Sequence, residues 1–449
     1  MFKSRSQSKP SAQGTRSKSQ YAKEVEQSPI SKLRRVITKP ITQKQIIKNV
    51  NLSGGKPKAM SEKDIDALSK RVILPTLPVS DEEMARATHQ DRGQKLARQD
   101  RWSDLAEKIR YADQTRLATP AGETASLLLA YGARSDVVSA AEDALHDGAE
   151  PDEAGIAALE DILLEEDDSY ASALVVALAH LDIAWAWHCI RFDDTPEDAL
   201  ARAQRHLARA EDILMVHDGA ALNAPSVLAA QCALAATHEK RDLMLGEDYA
   251  KLITLDPHGH GHMRALGRYM SRLLHKHPNA LEVAARKTAS LTENHWQAGG
   301  YTWVYLDALM SEPAAITLLD PDLFVEGMEN IIHRQHDQHI INQFTAFCAI
   351  SMAPKRNDQD TAAIAATKQQ LHECLDWLVT DHLHELHPLI WSQTLLAPSQ
   401  VPALPSRRAL VVKGRQTALR IIAARFADEI ADGSSLGFSP HGMYRLPAI

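Results

Sequence analysis

Histidines clustered in three places are the residues of this chain whose spacing could support chemistry. In the first cluster, residues 257–262, His258, His260 and His262 alternate with other residues in a link between two helical segments. Alternating imidazoles on a flexible loop can bind zinc, copper or nickel. Metal-dependent hydrolases with alternating histidines need an aspartate where Gly261 stands, and they place the motif after a strand. We therefore expect an exposed link here, with metal binding as the alternative.

The second cluster contains His333, His336 and His339, which are spaced by three residues. On one continuous helix these side chains would drift around the cylinder, because three residues give about 300° of rotation. The spacing therefore favours a turn between two helices, with the histidines exposed.

The third cluster resembles part of the zinc-binding helix motif H-E-x-x-H, in which two histidines bind zinc and the glutamate is the base. His372 and Glu373 match its start, but Asp376 stands where the second histidine is required. The later pair His384 and His387 is one residue too close. The sequence therefore does not favour a zinc enzyme at this cluster, although aspartate can bind zinc.

A different pattern lies in residues 245–270, where Tyr249 is followed by Pro257 and then by Leu266-Gly267 in a second periodic segment. This arrangement resembles the tetratricopeptide repeat. In that family the large residue and the Leu-Gly pair pack two antiparallel helices closely, and the proline ends one repeat. The resemblance implies a right-handed α-solenoid that binds proteins or peptides on its concave surface and performs no chemistry of its own.

Composition supports an all-α fold. Hydrophobic residues make up 44% of the chain and aromatic residues only 5%, so most apolar volume comes from small aliphatic side chains that suit helix packing. Ser80 with Glu83 forms a capping-box signal. Helices are predicted near residues 81–99, 101–116, 122–131, 134–147, 152–166, 169–191, 197–215, 224–239, 243–255, 260–276, 279–293, 296–310, 320–335, 337–352, 360–386 and 406–431.

These segments predict five regions along the chain. They are a disordered basic tail at 1–60, an N-terminal helical segment or cap at 61–150, degenerate tetratricopeptide-like hairpins at 151–352, a C-terminal helical cap at 353–431 and an extended tail at 432–449. Hairpins joined by short links stack into a solenoid, because no single pair buries its apolar face alone.

Charge is distributed unevenly. Residues 1–60 carry a net charge of +12, whereas the rest of the chain carries −20, with twelve acidic and no basic residues between Ala141 and Tyr170. The tail has three interpretations: an arm for nucleic acid or an anionic surface, a targeting segment, or a stretch without a role, either because translation begins at Met60 or because the tail is an inert solubilising segment. A tail of this charge could also dock weakly on the acidic region.

Several features predict a cytoplasmic protein. The four cysteines form no C-x-x-C pair and suit buried free thiols; they are Cys189, Cys232, Cys348 and Cys374. No secretory signal is visible. Residues 171–190 are apolar enough to span a bilayer, but His180, Asp182 and His188 favour a helix buried in the protein.

Two further segments contain pairs of tryptophans whose role has to be interpreted. Gly299-Gly300 lies between Trp296 and Trp303, and Trp185 lies near Trp187; we predict core packing at both places, with a ligand-facing groove as the alternative at the first.

The helix predicted at 406–431 has six basic and no acidic residues between Arg407 and Arg425. Its residues Leu419, Ile422 and Phe426 are expected to face inward. Its outer face is expected to be solvated. The alternatives are contact with nucleic acid or with the acidic region at 141–170.

Together these observations predict a non-enzymatic scaffold that needs no cofactor or metal, binds a protein or peptide partner and does not enter a membrane. Its oligomeric state stays open. The residues predicted to bind the partner, from their position on inner helices, are Tyr249, His262, Arg264, Arg268 and Tyr301. The alternatives are a metal-dependent enzyme or metal sensor that uses the histidine clusters, and a nucleic-acid-associated protein that uses the basic tail.

Overall fold

The computed structural model describes residues 62–165, 169–189, 196–238, 244–354, 360–396 and 405–448. The described chain is mostly helical, as predicted. The predicted disordered tail at 1–60 lies outside the described residues.

The helices are numbered in chain order. Helices α1–α7 are Glu62–Ser69, Asp81–Arg98, Trp102–Thr115, Ala125–His146, Ala154–Glu165, Tyr170–Cys189 and Pro196–Met215. Helices α8–α14 are Pro225–Ala235, Leu245–Leu255, His260–Arg272, Ala280–Leu291, Glu293–Trp296, Gly299–Ser311 and Pro321–Arg334. Helices α15–α20 are Gln338–Ala346, Ala362–Glu373, Leu375–Trp377, Pro388–Leu395, Arg407–Arg425 and Ala427–Ile430. A 3₁₀ helix spans Pro313–Leu318, and π-helical turns span Phe347–Ser351 and Leu378–His382.

Most predicted helices begin and end within a few residues of the observed ones, and the capping box at the start of α2 is confirmed. Ser80 Oγ accepts a hydrogen bond from the Glu83 backbone at 3.3 Å, and the Glu83 carboxylate accepts one from Ser80 N at 3.1 Å.

The prediction of two helices at 122–131 and 134–147 is wrong, because α4 runs through both without a break. Gly132 is a packing position and not a helix end. A Cβ there would lie 1.8 Å from the carbonyl oxygen of Gln90, and one on Gly93 would lie 2.1 Å from that of Leu129. Helices α2 and α4 therefore cross in close contact through one glycine from each.

A small sheet joins the two ends of the described chain. Strand β1 (Val72–Ile73) pairs in parallel with β2 (Ser435–Ser439), which pairs antiparallel with β3 (Gly442–Leu446). Leu436 and Phe438 are buried, so the region predicted as an extended tail at 432–449 contributes to the core. The sequence analysis did not predict this sheet, because β1 has two residues and its partner is more than 350 positions away.

Helix α19 strengthens the same connection. Leu419, Ile422 and Phe426 are buried, which confirms the predicted inward face. Three of the six basic residues of the helix form ion pairs within the chain: Arg407 with Glu83 at 2.7 Å, Arg420 with Asp66 at 2.8 Å and Arg425 with Asp376 at 2.6 Å. Half of its basic face is therefore used for internal contacts.

Buried apolar residues form two clusters. One extends from Leu96 to Leu234, and the other combines Val72 and Leu74 with residues 232–438. Helix α8 contributes to both, so the two cores meet near residue 232. Among the described helices, only Tyr170–Cys189 is long and apolar enough to cross a membrane, and 89% of its apolar window is buried inside the protein.

The aromatic residues divide between core and surface. Trp296 and Trp303 are buried with ring centroids 5.8 Å apart, which confirms their predicted packing. Trp187 is also buried, but the prediction for Trp185 is wrong, since 43% of it is exposed. Residues two apart on a helix differ by about 200° in direction, so both could not face the same core.

Candidate functional site

A turn at residues 118–124 lies against the start of α10 and is fixed by Glu82 of α2. The buried Glu82 carboxylate accepts hydrogen bonds from Thr119 Oγ1 at 2.8 Å and from Ala121 N at 2.7 Å. Burial raises the pKa of Glu82, while the hydrogen bonds from Ala121 and Thr119 partly oppose that rise. The 118–124 turn is therefore attached to α2 by a buried carboxylate.

The same turn contacts His260, the first residue of α10. Gly122 has a φ of +88°, and a Cβ there would lie 2.4 Å from His260 Nε2, so both conformation and space require glycine. His260 Nε2 lies 2.5 Å from the carbonyl oxygen of Ala121. Because a carbonyl only accepts, Nε2 must carry the proton and Nδ1 must be an acceptor.

His260 is held in an aromatic environment. Its ring stacks on Trp303 with centroids 4.1 Å apart and planes 13° apart, and only 4% of the residue is exposed. Burial lowers the pKa of His260 to about 4, and the nearby charge of Arg264 acts in the same direction. The imidazole is therefore neutral at pH 7. Neither His260 Nδ1 nor Trp303 Nε1 has a hydrogen-bond partner in the described part of the chain.

His339 of α15 continues the cluster. Arg264 Nη1 lies 3.4 Å from Gln343 Oε1, which orients the amide so that Gln343 Nε2 donates to His339 Nε2 at 3.3 Å. Burial lowers the pKa of His339 to about 3, with His387 and Arg264 adding to the effect. The neutral ring therefore carries its proton on Nδ1, which also lacks a partner among the described residues.

His387 completes the cluster at its other end. Its ring centroid is 6.2 Å from that of His339, and its backbone N donates to Asn342 Oδ1 at 3.0 Å. Neither ring nitrogen makes a hydrogen bond within the described chain; Nε2 is 3.6 Å from Glu385 Oε2. Burial lowers the pKa of His387, and Glu385 partly opposes this. We call His260, Trp303, His339 and His387 the histidine cluster.

An ion-pair group lies beside the histidine cluster. Asp307 of α13 is 9% exposed and accepts hydrogen bonds from Arg264 at 2.7 Å and from Arg268. Burial alone would raise the pKa of Asp307, but Arg264 and Arg268 lower it overall. Two guanidinium groups share one carboxylate, so this group carries one excess positive charge.

Three of the five predicted partner-binding residues are buried. Tyr249 is 6% exposed, His262 5% and Tyr301 0%. Tyr301 Oη donates to Glu282 at 2.8 Å, and His262 Nε2 lies 3.2 Å from Asp256 Oδ2. These side chains make internal contacts in the structure.

Arg264 and Arg268, the other two predicted residues, pair with Asp307 as described above. The start of α10, which was expected to face a partner, is covered by the protein's own 118–124 turn. The structure thus brings Arg264 near the histidine cluster, which the sequence analysis did not identify as a unit.

The prediction of an exposed link at 257–262 is wrong for two of its three histidines. His258 is exposed and contacts His295 edge to face at 4.4 Å, but His260 and His262 are buried. The helix begins at His260, and the 118–124 turn, about 140 residues earlier in the chain, covers it.

The second histidine cluster of the sequence forms a turn, and residues of the third make internal contacts. The predicted turn at 333–339 is confirmed between α14 and α15, with His333 and His336 exposed and His339 partly buried. In the third cluster, His372 Nδ1 bonds the carbonyl oxygen of Cys348 at 2.8 Å, and Asp376 pairs with Arg425. No group of three histidine, cysteine, aspartate or glutamate residues that could hold a metal ion occurs within the described ranges.

A surface pocket of about 350 Å³ lies where the C-terminal ends of α4 and α6 meet. It is lined by Glu142, Asp143, His146, Trp185, Ala186 and Cys189. Burial raises the pKa of Glu142, and repulsion from Asp182 and Asp143 adds to the rise. As far as the described residues go, neither Glu142 nor Asp143 has a cationic partner. We call this the Trp185 pocket.

Comparison with protein-family models, curated proteins and solved structures finds no match to this chain. The resemblance to tetratricopeptide repeats therefore depends on the residues of segment 245–270 alone.

Acid should destabilise the protein through His260. Its pKa is 6.5 when unfolded and about 4 when folded, so the unfolded state binds more protons between these values. Its contribution is complete above about pH 6.5 and is lost as the pH falls towards 4. Between pH 7 and pH 5 this loss is about 2 kcal/mol. Urea unfolding at both pH values should show it.

The matched variants are His260→Gln and His333→Gln, of which only the first removes a buried imidazole. His260→Gln should reduce the stability difference between pH 7 and pH 5, whereas His333→Gln should leave it unchanged. If stability changes with pH equally in the unaltered protein and both variants, His260 is not the source of the acid sensitivity.

Proposed function

We propose that the protein is a non-enzymatic α-helical scaffold that binds a basic segment of a partner protein at the Trp185 pocket. The observation that carries this proposal is an exposed tryptophan in a concave site beside carboxylates with no cationic partner among the described residues.

Helix order in the N-terminal core supports a stacked array. The pocket brings the C-terminal ends of α4 and α6 together, and Arg134 pairs with Asp182 at 2.6 Å, so α4 and α6 run in the same direction. Contacts between His180 and His206 and between Trp187 and Arg202 make α6 and α7 antiparallel. Parallel alternate helices and antiparallel neighbours are what successive helical hairpins produce.

The C-terminal core supports the tetratricopeptide-like interpretation in a modified form. Gly267 does allow close helix packing, since a Cβ there would lie 1.8 Å from the carbonyl oxygen of Val304. The neighbour is α13, however, and not α9, with which the resemblance pairs this segment. We propose a degenerate array in which the helix contacts differ from those of regular repeats.

The chemistry of the Trp185 pocket favours a cationic side chain. An arginine or lysine over an indole face gains about 0.5–2 kcal/mol, and adjacent carboxylates add to this attraction. Arg202 already lies over the Trp187 ring at 5.2 Å on the same helix pair. A stable partner interface buries about 1,200–2,000 Å², so the basic segment would have to contact residues around the pocket as well.

The other functional hypotheses gain less support. An acidic pocket repels phosphates, so association with nucleic acid would need the basic tail. A metal-dependent reaction would need convergent ligands, and the third cluster uses His372 and Asp376 in internal contacts.

A labelled peptide with the sequence of residues 3–19 is a suitable basic probe, since it carries five Lys or Arg and no acidic residue. Fluorescence anisotropy should show that the full chain binds it, and that both Trp185→Ala and the double change Glu142→Gln/Asp143→Asn weaken binding at least tenfold. The measurement is the dissociation constant of the peptide for each variant relative to that for the unaltered chain.

Tyr111→Ala is the matched control, because Tyr111 is an aromatic residue that is 60% exposed on α3. It should bind the peptide as the unaltered protein does. Equal binding by all variants, or equal binding of a peptide with every Lys and Arg changed to Gln, would overturn the proposed function.

A further inference from the structure

The histidine cluster contains an unusual number of buried polar atoms without partners. They are Nδ1 of His260, Nδ1 of His339, Nε1 of Trp303 and Nδ1 of His387. His260, Trp303 and His387 are each less than 9% exposed. Buried polar groups are nearly always hydrogen-bonded in native proteins. Several such atoms in one cluster are available to hydrogen-bond a small molecule that has several polar atoms.

The tautomers define what that ligand must offer. Trp303 Nε1 and His339 Nδ1 both carry protons, so they need acceptors on the ligand. His260 Nδ1 is an acceptor, because Nε2 donates to Ala121, so it needs a proton from the ligand. A ligand with acceptor oxygens and one hydroxyl satisfies all three.

Charge favours an anion at the Arg264 end of the cluster. Among the described residues, Arg264 and Arg268 share the single carboxylate of Asp307, and the charges of Arg264 and Arg86 both act on His339. Arg86 is balanced by Glu123 at 3.0 Å, which leaves the excess positive charge with the Arg264 group.

The acidic groups near the cluster lie at its other end, around His387. The Glu385 carboxylate lies 3.6 Å from His387 Nε2 and raises the pKa of that histidine. The charges of Asp337 and Glu83 also raise this pKa, but by less than Glu385 does. Glu82 is occupied by the 118–124 turn.

We propose that His260, Trp303 and His339 form a binding site for a small oxyanion that retains a hydroxyl, of the hydrogen phosphate type. This site is separate from the Trp185 pocket and does not depend on the proposed scaffold function. One wall is the 118–124 turn, so a bound anion would connect the turn and α2 to α10, α13 and α15.

Inorganic phosphate and sulfate, titrated into the full chain at pH 7.5 and constant ionic strength, test the hydroxyl requirement by calorimetry. Both ions have acceptor oxygens, but only phosphate has an O–H to donate to His260 at this pH. Phosphate should bind saturably, and sulfate at least tenfold more weakly. Absence of saturable phosphate binding, or equal binding of sulfate, would overturn the proposal.

Trp303→Phe removes the indole N–H with little change in packing and should weaken phosphate binding at least tenfold. The matched control is Trp296→Phe, because Trp296 is also buried but its Nε1 donates to the carbonyl oxygen of Pro257 at 2.8 Å. Equal effects of the two changes on phosphate binding would contradict the proposed binding site. If Trp303→Phe does not fold, the phosphate and sulfate comparison on the unaltered chain still decides.

Discussion

Replacing Arg264 with alanine should lower the free energy of unfolding by about 1.5–3 kcal/mol, the usual range for losing hydrogen bonds to a charged group. The change leaves Asp307, which is 9% exposed, with Arg268 as its remaining ion-pair partner. Removing one member of a buried ion pair is strongly destabilising because the other charge stays out of water. Urea unfolding at pH 7, followed by circular dichroism at 222 nm, measures the difference.

The matched control is Arg98→Ala. Arg98 makes an equally short contact of 2.6 Å with Asp136, but the two side chains are 61% and 49% exposed. Water and salt screen the two charges of an exposed pair, so this change should have a small effect on stability. Adding Asp307→Asn to Arg264→Ala should recover part of the lost stability, since it removes the buried charge. Equal losses of stability for Arg98→Ala and Arg264→Ala would contradict the description of the Arg264–Asp307 contact as a buried ion pair.

The ion pairs with Asp307 also affect any partner-binding assay in which Arg264 and Arg268 are replaced. If a variant without both arginines binds a partner less well, the loss of the ion pairs with the buried Asp307 explains the result. Such an assay does not identify either arginine as a contact with the partner.

Gly267→Ala should destabilise the protein by about 2–3 kcal/mol. A Cβ at Gly267 would lie 1.8 Å from the carbonyl oxygen of Val304, so α10 and α13 must separate to admit it. Overpacking of this kind typically costs 1–3 kcal/mol even when the backbone moves. Thermal and urea unfolding of the purified variant should both show the loss.

Gly261 is the control on the same helix, because nothing lies within 4 Å of a Cβ built there. Gly261→Ala should leave stability unchanged or raise it by up to about 1 kcal/mol, since alanine is the better helix former. If both variants have the same stability, Gly267 is not a close-packing position.

The helices were predictable because their signals are local. Apolar periodicity, the capping box at Ser80 and the proline that follows Asp320 each depend on residues within one or two turns. Which helices meet was not predictable from such signals. Two helices were predicted on either side of Gly132, although this residue lies inside α4 and packs against Gln90 of another helix.

The histidine cluster was missed for the same reason. His260, His339 and His387 lie in three separate histidine groups, and spacing within each group carries no information about contact between them. The burial of His260 depends on the 118–124 turn, whose position is fixed by Glu82. One signal was available: a Pro-Ala-Gly turn at 120–122 followed at once by a helix indicates a tight connection that could lie against another element.

Photo-crosslinking from Cys189 tests the proposed function most directly. Cys189 lines the Trp185 pocket and is exposed, whereas the other three cysteines are buried, so a maleimide benzophenone should label it selectively. Irradiation in a lysate of the native cell, followed by mass spectrometry, should locate adducts in Lys- and Arg-rich segments of another protein, and Trp185→Ala should abolish them. Adducts in neutral or acidic segments, or adducts that persist in Trp185→Ala, would contradict the proposed function.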